Sequence, residues 1–151
     1  TLIELETLQT LVDDIGIHSI KDAVGDFEFS KKQLELLKDK VDIYSGNDNQ
    51  TYDFVINGGV GVVSVASHVV GDEISEMISF AKDNDLEKAE EINMQLSNLF
   101  EAIFEEPSPG PIKKILSESW EEVGEPLLPI TSITPELANK IRGFYKKIKE
   151  N

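Results

Sequence analysis

Lys21 is the residue whose type and place point most directly to chemistry. It follows Ile17-His18-Ser19-Ile20, in an apolar run that reads as a buried strand closed by Gly25-Asp26. In α/β folds, ligands bind at the carboxyl ends of parallel strands. An apolar surround there disfavours the ammonium form and lowers a lysine pKa. A neutral amine in that place attacks a ketone and forms a Schiff base, whose protonated imine is an electron sink. The competing reading is that Lys21 begins a wet loop and pairs with Asp22 or Asp26.

Two turns invite comparison with Lys21. Ser45-Gly46-Asn47-Asp48 follows a strand-like run and precedes a helix-like one. Free N–H groups at such a helix start hold a carboxylate; the alternative is a plain turn with Asp48 as N-cap. Gly58-Gly59-Val60-Gly61 has the wrong order for a phosphate cradle, because its glycines follow a helix and open a strand. A helix cap and a tight strand entry fit it better. His18 and His68 have no second His or carboxylate at metal spacing, so each reads as packed or hydrogen-bonded. No metal site is expected. Glu87, Glu90 and Glu91, and the pair Glu105-Glu106, read as solvated faces; Trp120 and Tyr145 read as packing residues.

The elements that must position Lys21 follow from periodicity. Leu2, Leu5, Leu8, Leu11 and Val12 recur at helical spacing, with Asp13-Asp14 as the expected stop. Ile15, Ile17 and Ile20 make the first strand, and Leu34 and Leu37 mark a second helix. Val41, Ile43 and Tyr44 form a strand before Ser45. Tyr52, Val55 and Ile56 lie on a short helix ending at Asn57-Gly58-Gly59, where glycine supplies the left-handed cap. Val60 to Ala66 is a third, β-branched strand, followed by a helix face of Ile74, Met77, Ile78 and Ala81. Strands alternating with helices imply a parallel sheet.

The rest reads as helix. Ala89, Ile92, Leu96, Leu99, Phe100 and Ile103 form one stripe, and Pro107-Ser108-Pro109-Gly110-Pro111 breaks it. Pro111 suits the first position of a helix carrying Ile112, Ile115 and Leu116. Pro126 and Pro129 mark an extended link. Thr134-Pro135 is an N-cap and a helix-starting proline for a last helix burying Leu137, Ile141, Phe144 and Ile148. The expected organisation is an α/β part over residues 1–84 and a helical part over 85–151.

Composition narrows the function. The 151 residues carry 14 Lys and Arg against 29 Asp and Glu, a formal charge of −15. Such a chain has no long-range attraction for nucleic acid or anionic lipid. A small anion needs a local positive pocket. There is no Cys, hence no disulfide, thiolate metal site or cysteine nucleophile. No apolar run approaches the ~20 residues of a membrane span, and no basic and apolar leader opens the chain. Cytoplasmic residence is the expectation. The opening at Thr1 rather than Met reads as the middle of something longer.

Five ordered blocks carry a resemblance. Ile17-His18-Ser19-Ile20-Lys21-Asp22-Ala23-Val24-Gly25-Asp26 resembles the Schiff-base lysine strand of the dihydrodipicolinate synthase and N-acetylneuraminate lyase family. Tyr44-Ser45-Gly46-Asn47-Asp48, Gly58-Gly59-Val60-Gly61-Val62-Val63-Ser64-Val65-Ala66-Ser67, Pro109-Gly110-Pro111-Ile112-Lys113 and Leu127-Leu128-Pro129-Ile130-Thr131 are similar to the family's later blocks, in the same order. Ser19, Val63 and Ser108 depart from the usual glycine, isoleucine and asparagine.

The resemblance implies the C-terminal part of a (β/α)8 TIM barrel plus a C-terminal helical region. The three strands would be the sixth to eighth, and a full barrel takes ~250 residues. It implies Lys21 as the catalytic amine for pyruvate, with backbone groups at Gly46 and Val63 lining the substrate pocket. The implied partner is a small aldehyde, and the synthase-like blocks favour aspartate semialdehyde. Another pyruvate-dependent aldolase, such as a sugar-acid aldolase or sialic acid lyase, is the alternative. No cofactor is implied, and the family is commonly tetrameric. A non-catalytic half-barrel that acts by association is the reading from another class, since open strand edges seek partners. The expected chain alone is an inactive segment lacking the family's proton-relay tyrosine, carboxylate-binding threonines and arginine.

Overall fold

The computed structural model describes residues 2–150. The chain forms two compact units, one of Thr1–Ser64 with Ile78–Leu86, the other of Val65–Met77 with Glu87–Asn151.

The first unit holds the sheet. Helix α1 (Leu5–Thr10) runs into a π-helical turn, Leu11–Ile15, and stops at Gly16 with φ +78°. The expected stop at Asp13-Asp14 is therefore displaced: acidic side chains do not end a helix, whereas a glycine in the left-handed conformation does. Ile15, expected in the first strand, sits in this turn and is 70% exposed. Then come β1 (Ser19–Asp22), α2 (Phe27–Leu36), β2 (Asp42–Ser45), a 3₁₀ turn (Asp48–Gln50), α3 (Thr51–Ile56) and β3 (Gly61–Val62). The strands are parallel in the order β1-β2-β3, as the alternation of strands and helices requires.

One face of the sheet is packed. Leu8, Val12, Leu34, Leu37, Ile43 and Phe54 form the core, with Ile17, Ile20 and Phe27 against it. The rings of Phe27 and Phe54 meet edge to face, 6.2 Å apart. After α3, Gly58 has φ +102°, the cap expected of it. Gly59 donates to the Phe54 carbonyl at 2.8 Å. A β-carbon on Gly59 would stand 2.9 Å from that same oxygen, so the strand entry needs glycine. The third strand is shorter than Val60 to Ala66. Its ladder pairs only Gly61 and Val62, extended by a bond at each end, from the Val60 N–H to the Ile43 carbonyl at 2.9 Å and from the Val63 N–H to the Ser45 carbonyl at 2.8 Å.

The second unit is helical. It contains the start of α4 (Ser67–Lys82), where Val70 leaves helical geometry at φ −130°, ψ 38°. It continues with most of α5 (Leu86–Ala102), then α6 (Gly110–Ser119) and α7 (Pro135–Lys149). The α5 stripe is buried at Ala89, Leu96, Leu99, Phe100 and Ile103. Pro111 lies in the first turn of α6, and Thr134 caps α7 by accepting from the Leu137 N–H. Leu137, Ile141 and Ile148 are buried as expected, while Phe144 is half-buried.

Three further expectations are corrected here. Trp120 ends α6 and is 75% exposed, because the helix stops there and an irregular link follows. Glu105 and Glu106 are not merely solvated. Glu105 pairs with Lys140, and Glu106 accepts from both the N–H and the hydroxyl of Thr134. His18 and His68 are exposed rather than packed. Among the described residues no group of three His, Asp or Glu could hold a metal ion. Nor is any helix long and apolar enough to cross a membrane.

Candidate active site

Alternation along the strands sorts their side chains onto two faces. Ile20 pairs in register with Ile43, and Asp22 with Ser45. Ile43, Asp22 and Ser45 are buried, with Ile20 packed against the core. Lys21 is in register with Tyr44, and Tyr44 with Gly61. This second row lies on the other face, where Lys21 is exposed and Tyr44 half-buried. Lys21 is thus not enclosed, and the expected burial of its strand end is corrected, although apolar residues of its unit share a cleft with it. The physical reason is that Lys21, in register with Tyr44, lies on the face of the sheet opposite the packed core of Ile43, Leu34 and Phe54.

The Lys21 amine is free. Among the described residues its Nζ has no hydrogen-bond or salt-bridge partner. Both acids that were alternatives for it are engaged elsewhere. Asp22 accepts from the Val24 N–H at 2.8 Å and the Ser30 hydroxyl at 2.7 Å. Asp26 caps α2, accepting from the N–H groups of Glu28 and Phe29 at 3.1 and 3.4 Å. The reading of Lys21 as a loop lysine paired with either acid therefore fails. A cleft of about 450 Å³ adjoins β1, with Leu2, Ile3, Ile20, Lys21, Val24 and Gln33 in its lining.

The carboxyl ends of the three strands bring Lys21, Gly46 and Val63 to adjacent positions. The side chain of Lys21 passes over Gly46: a β-carbon at Gly46 would lie 2.9 Å from Lys21 Cε and 2.7 Å from Ala23 Cβ. The amide of Gly46 donates to the Asp22 carbonyl at 2.5 Å, and that of Val63 to the Ser45 carbonyl. Both N–H groups are taken up by the sheet, so what either residue can offer a ligand is its carbonyl oxygen. The turn after β2 opens a short 3₁₀ turn that runs into α3. Asn47, not Asp48, precedes its 3₁₀ turn, and the Asn47 N–H bonds to the Ser45 hydroxyl at 3.1 Å.

Sequence reasoning missed the bracing of this end of the sheet. The Gln50 side chain donates to the Gly25 carbonyl at 2.9 Å and accepts from Asn47 Nδ2 at 3.2 Å. The loops after β1 and β2 are thereby tied together. No periodicity marks such a contact; only the polar character of Asn47 and Gln50 in a short turn hints at it.

Parallel strands, each followed by helix and with a free lysine at their carboxyl ends, define an arc of a (β/α) barrel. The solved structures agree. The chain superposes on a dihydrodipicolinate synthase of Bacillus anthracis with a TM-score of 0.89 and 32% identity, covering 97% of this chain and 50% of that one. It superposes on the Cyanidioschyzon merolae enzyme, solved with lysine bound, with a TM-score of 0.90 and 33% identity, over 96% of this chain and 49% of that one. A further match, with TM-score 0.90 and 27% identity over 96% of this chain and 50% of that one, is described as the first monomeric dihydrodipicolinate synthase variant. The fold is the C-terminal part of a (β/α)8 TIM barrel with its helical extension.

The sequence matches the dihydrodipicolinate synthetase family over residues 1–148, and the chain belongs to that family. A 4-hydroxy-tetrahydrodipicolinate synthase of Listeria monocytogenes is 32% identical over 98% of this chain and 50% of its own length. One of Thermosynechococcus vestitus is 39% identical over 91% of this chain and 46% of its own. The chain spans about half the length of the curated relatives it matches.

Proposed function

We propose that the chain carries the lysine half of a site that condenses pyruvate with aspartate semialdehyde, as a 4-hydroxy-tetrahydrodipicolinate synthase. The observation that carries this reading is the exposed amine of Lys21, unpartnered among the described residues and laid over Gly46 at the carboxyl end of a parallel strand, in a chain of this family.

The chemistry follows from that amine. Neutral Nζ adds to the ketone carbon of pyruvate, and the carbinolamine loses water to give an imine. The protonated imine draws electrons from the neighbouring methyl group. Loss of a methyl proton leaves an enamine, whose carbon attacks the aldehyde. The aldehyde oxygen takes a proton and becomes a hydroxyl, and the amino group brought by aspartate semialdehyde then adds to the imine carbon and expels the lysine amine, closing the ring. In this reading the carbonyls of Gly46 and Val63 line the pocket and accept from the ammonium of aspartate semialdehyde or the carbinolamine hydroxyl, since pyruvate itself has no donor. Residues that relay the proton and hold the pyruvate carboxylate come from outside this chain's described residues. Homo-oligomeric assembly and cytoplasmic residence belong to the same reading.

The test is borohydride trapping with pyruvate, followed by peptide mapping. It is run on the chain as it stands and on the chain fused behind the N-terminal barrel half of the Listeria relative. The expected result is an adduct on Lys21 in the fusion, absent after Lys21→Ala. No adduct on Lys21 in a folded fusion overturns the proposal. Consumption of aspartate semialdehyde, against sugar-derived aldehydes, then decides the acceptor.

Association without catalysis is the second reading. It is favoured by the open edges of β1 and β3 and by the exposure of Leu2, Ile3, Val24 and Val63. Light scattering on the chain alone reads it directly. A concentration-dependent mass with no lysine adduct in any form supports association.

A further inference from the structure

Asp22 is a buried carboxylate one residue beyond Lys21, on the opposite face of the strand. It is 4% exposed, and both its oxygens are used. Oδ1 accepts from the Val24 N–H at 2.8 Å, which turns the chain just past the strand. Oδ2 accepts from the Ser30 hydroxyl at 2.7 Å, and Ser30, 1% exposed, stands on α2. The Asp22 carbonyl meanwhile accepts from Gly46 N–H at 2.5 Å. Asp22 is therefore fixed by its own loop, by the next helix and by the next strand.

A four-residue edge strand is otherwise the part of a sheet most free to fray. Lys21 lies on that strand, and among the described residues its side chain has no hydrogen-bond or ion-pair partner to orient it. The direction of its Cα–Cβ bond can come only from the backbone. We propose that Asp22 and Ser30 are positioning residues that fix the end of β1 and so aim Lys21 across Gly46; the catalytic part of this inference rests on the Schiff-base reading above. Neither residue touches substrate. Asp26 contributes a second hold on the same loop through the cap of α2, and its carbonyl also lies 3.2 Å from the Ser30 hydroxyl.

What matters in this arrangement is geometry rather than charge, which makes the test sharp. Asp22→Asn keeps one oxygen for the Val24 N–H and turns its amide to a Ser30 hydroxyl that can accept as well as donate. Asp22→Ala and Ser30→Ala remove the contact. In whichever form of the protein gives the Lys21 adduct, the maximal trapping rate should fall about tenfold for both alanine variants. The half-saturating pyruvate concentration and melting temperature corrected for fraction folded should account for little of that loss. Asp22→Asn should stay within about threefold of the parent, and Ser30→Thr, which keeps the hydroxyl, should recover most of the rate lost in Ser30→Ala.

Hydrogen exchange on the chain as it stands tests the clamp without any catalysis. In Ser30→Ala the amides of Val24 and Gly46 should exchange at least about tenfold faster, with that of Leu96 in the other unit unchanged. Unchanged protection of Val24 and Gly46 overturns the proposal. So does a rate loss in Asp22→Asn as large as in Asp22→Ala, which would make charge the operative property. If no form of the protein gives an adduct on Lys21, the aldolase reading fails, and the exchange result alone decides whether the clamp exists.

Discussion

Lys21 Cε lies 2.9 Å from the point a β-carbon would occupy on Gly46, so the lysine crosses the neighbouring strand where only glycine leaves room. The same point is 2.7 Å from Ala23 Cβ and 2.9 Å from the Asp22 carbonyl oxygen. The lysine tip can move aside, but the backbone oxygen cannot without breaking the Gly46 N–H bond it accepts.

Gly46→Ala should therefore destabilise the first unit by about 1–3 kcal/mol, the usual cost of overpacking. Gly61→Ala is the control. Its β-carbon would meet Tyr44 Cδ1 at 3.6 Å, an ordinary contact, and its cost should stay below about 1 kcal/mol. Urea unfolding of the two variants measures the difference. Equal midpoints would mean that the strand ends shift freely and that Lys21 is not held over Gly46.

Gln33 gives the opposite sign. It is 2% exposed, and its Nε2 is buried with no hydrogen-bond partner among the described residues. A buried donor left unmade costs about 1–3 kcal/mol. Gln33→Met keeps a similar length without the polar group and should raise stability by about 1–2 kcal/mol. A loss on the same urea assay would show that Nε2 has a partner after all.

The extent of what could be read in advance follows from which interactions are periodic. Helix faces such as Leu96, Leu99 and Phe100 announced themselves, as did the Thr134-Pro135 start and the Gly58 cap. The strand carrying Lys21 is legible in Ile17 and Ile20, but the exposure of Lys21 is not, because apolar residues mark the one packed face and say nothing of what covers the other. The bond from Ser30 to Asp22 was out of reach: it joins residues eight apart across a turn, and neither helical nor strand periodicity couples that spacing. The exposure of Trp120 was equally hidden, since hydrophobicity says what a residue prefers and not where the helix beneath it ends.

Thr134 tests the link between the turn after α5 and the start of α7. Its Oγ1 accepts from the Leu137 N–H at 3.4 Å and donates to Glu106 at 2.6 Å. Thr134→Val should cost about 1 kcal/mol, as caps commonly do. Glu106→Ala removes the acceptor of that hydroxyl, and the two losses should not add, because each variant removes the Thr134–Glu106 hydroxyl bond. Strict additivity in a double-mutant cycle would mean that the hydroxyl does not join them.

Glu118 provides the pH dependence. It joins α6 to α7 through Arg142, whose Nε and Nη2 donate to its two oxygens at 2.7 Å each. Those bonds are the largest cause of a carboxyl pKa held down at about 2, from the ordinary 4.5; partial burial opposes them, and Lys114 adds to them. The folded pKa is depressed, so the stabilisation is fully present above about pH 4.5 and is lost as pH falls toward 2. Glu118→Gln should thus melt below the parent at neutral pH, with the gap closing through that acid window. Because the pair is partly exposed, at 31% and 37%, solvent screening holds the neutral-pH loss to about 1 kcal/mol or less. High salt should narrow the gap as acid does. A gap that stays constant from pH 7 to about pH 2 would place its origin in packing rather than in the charge of Glu118.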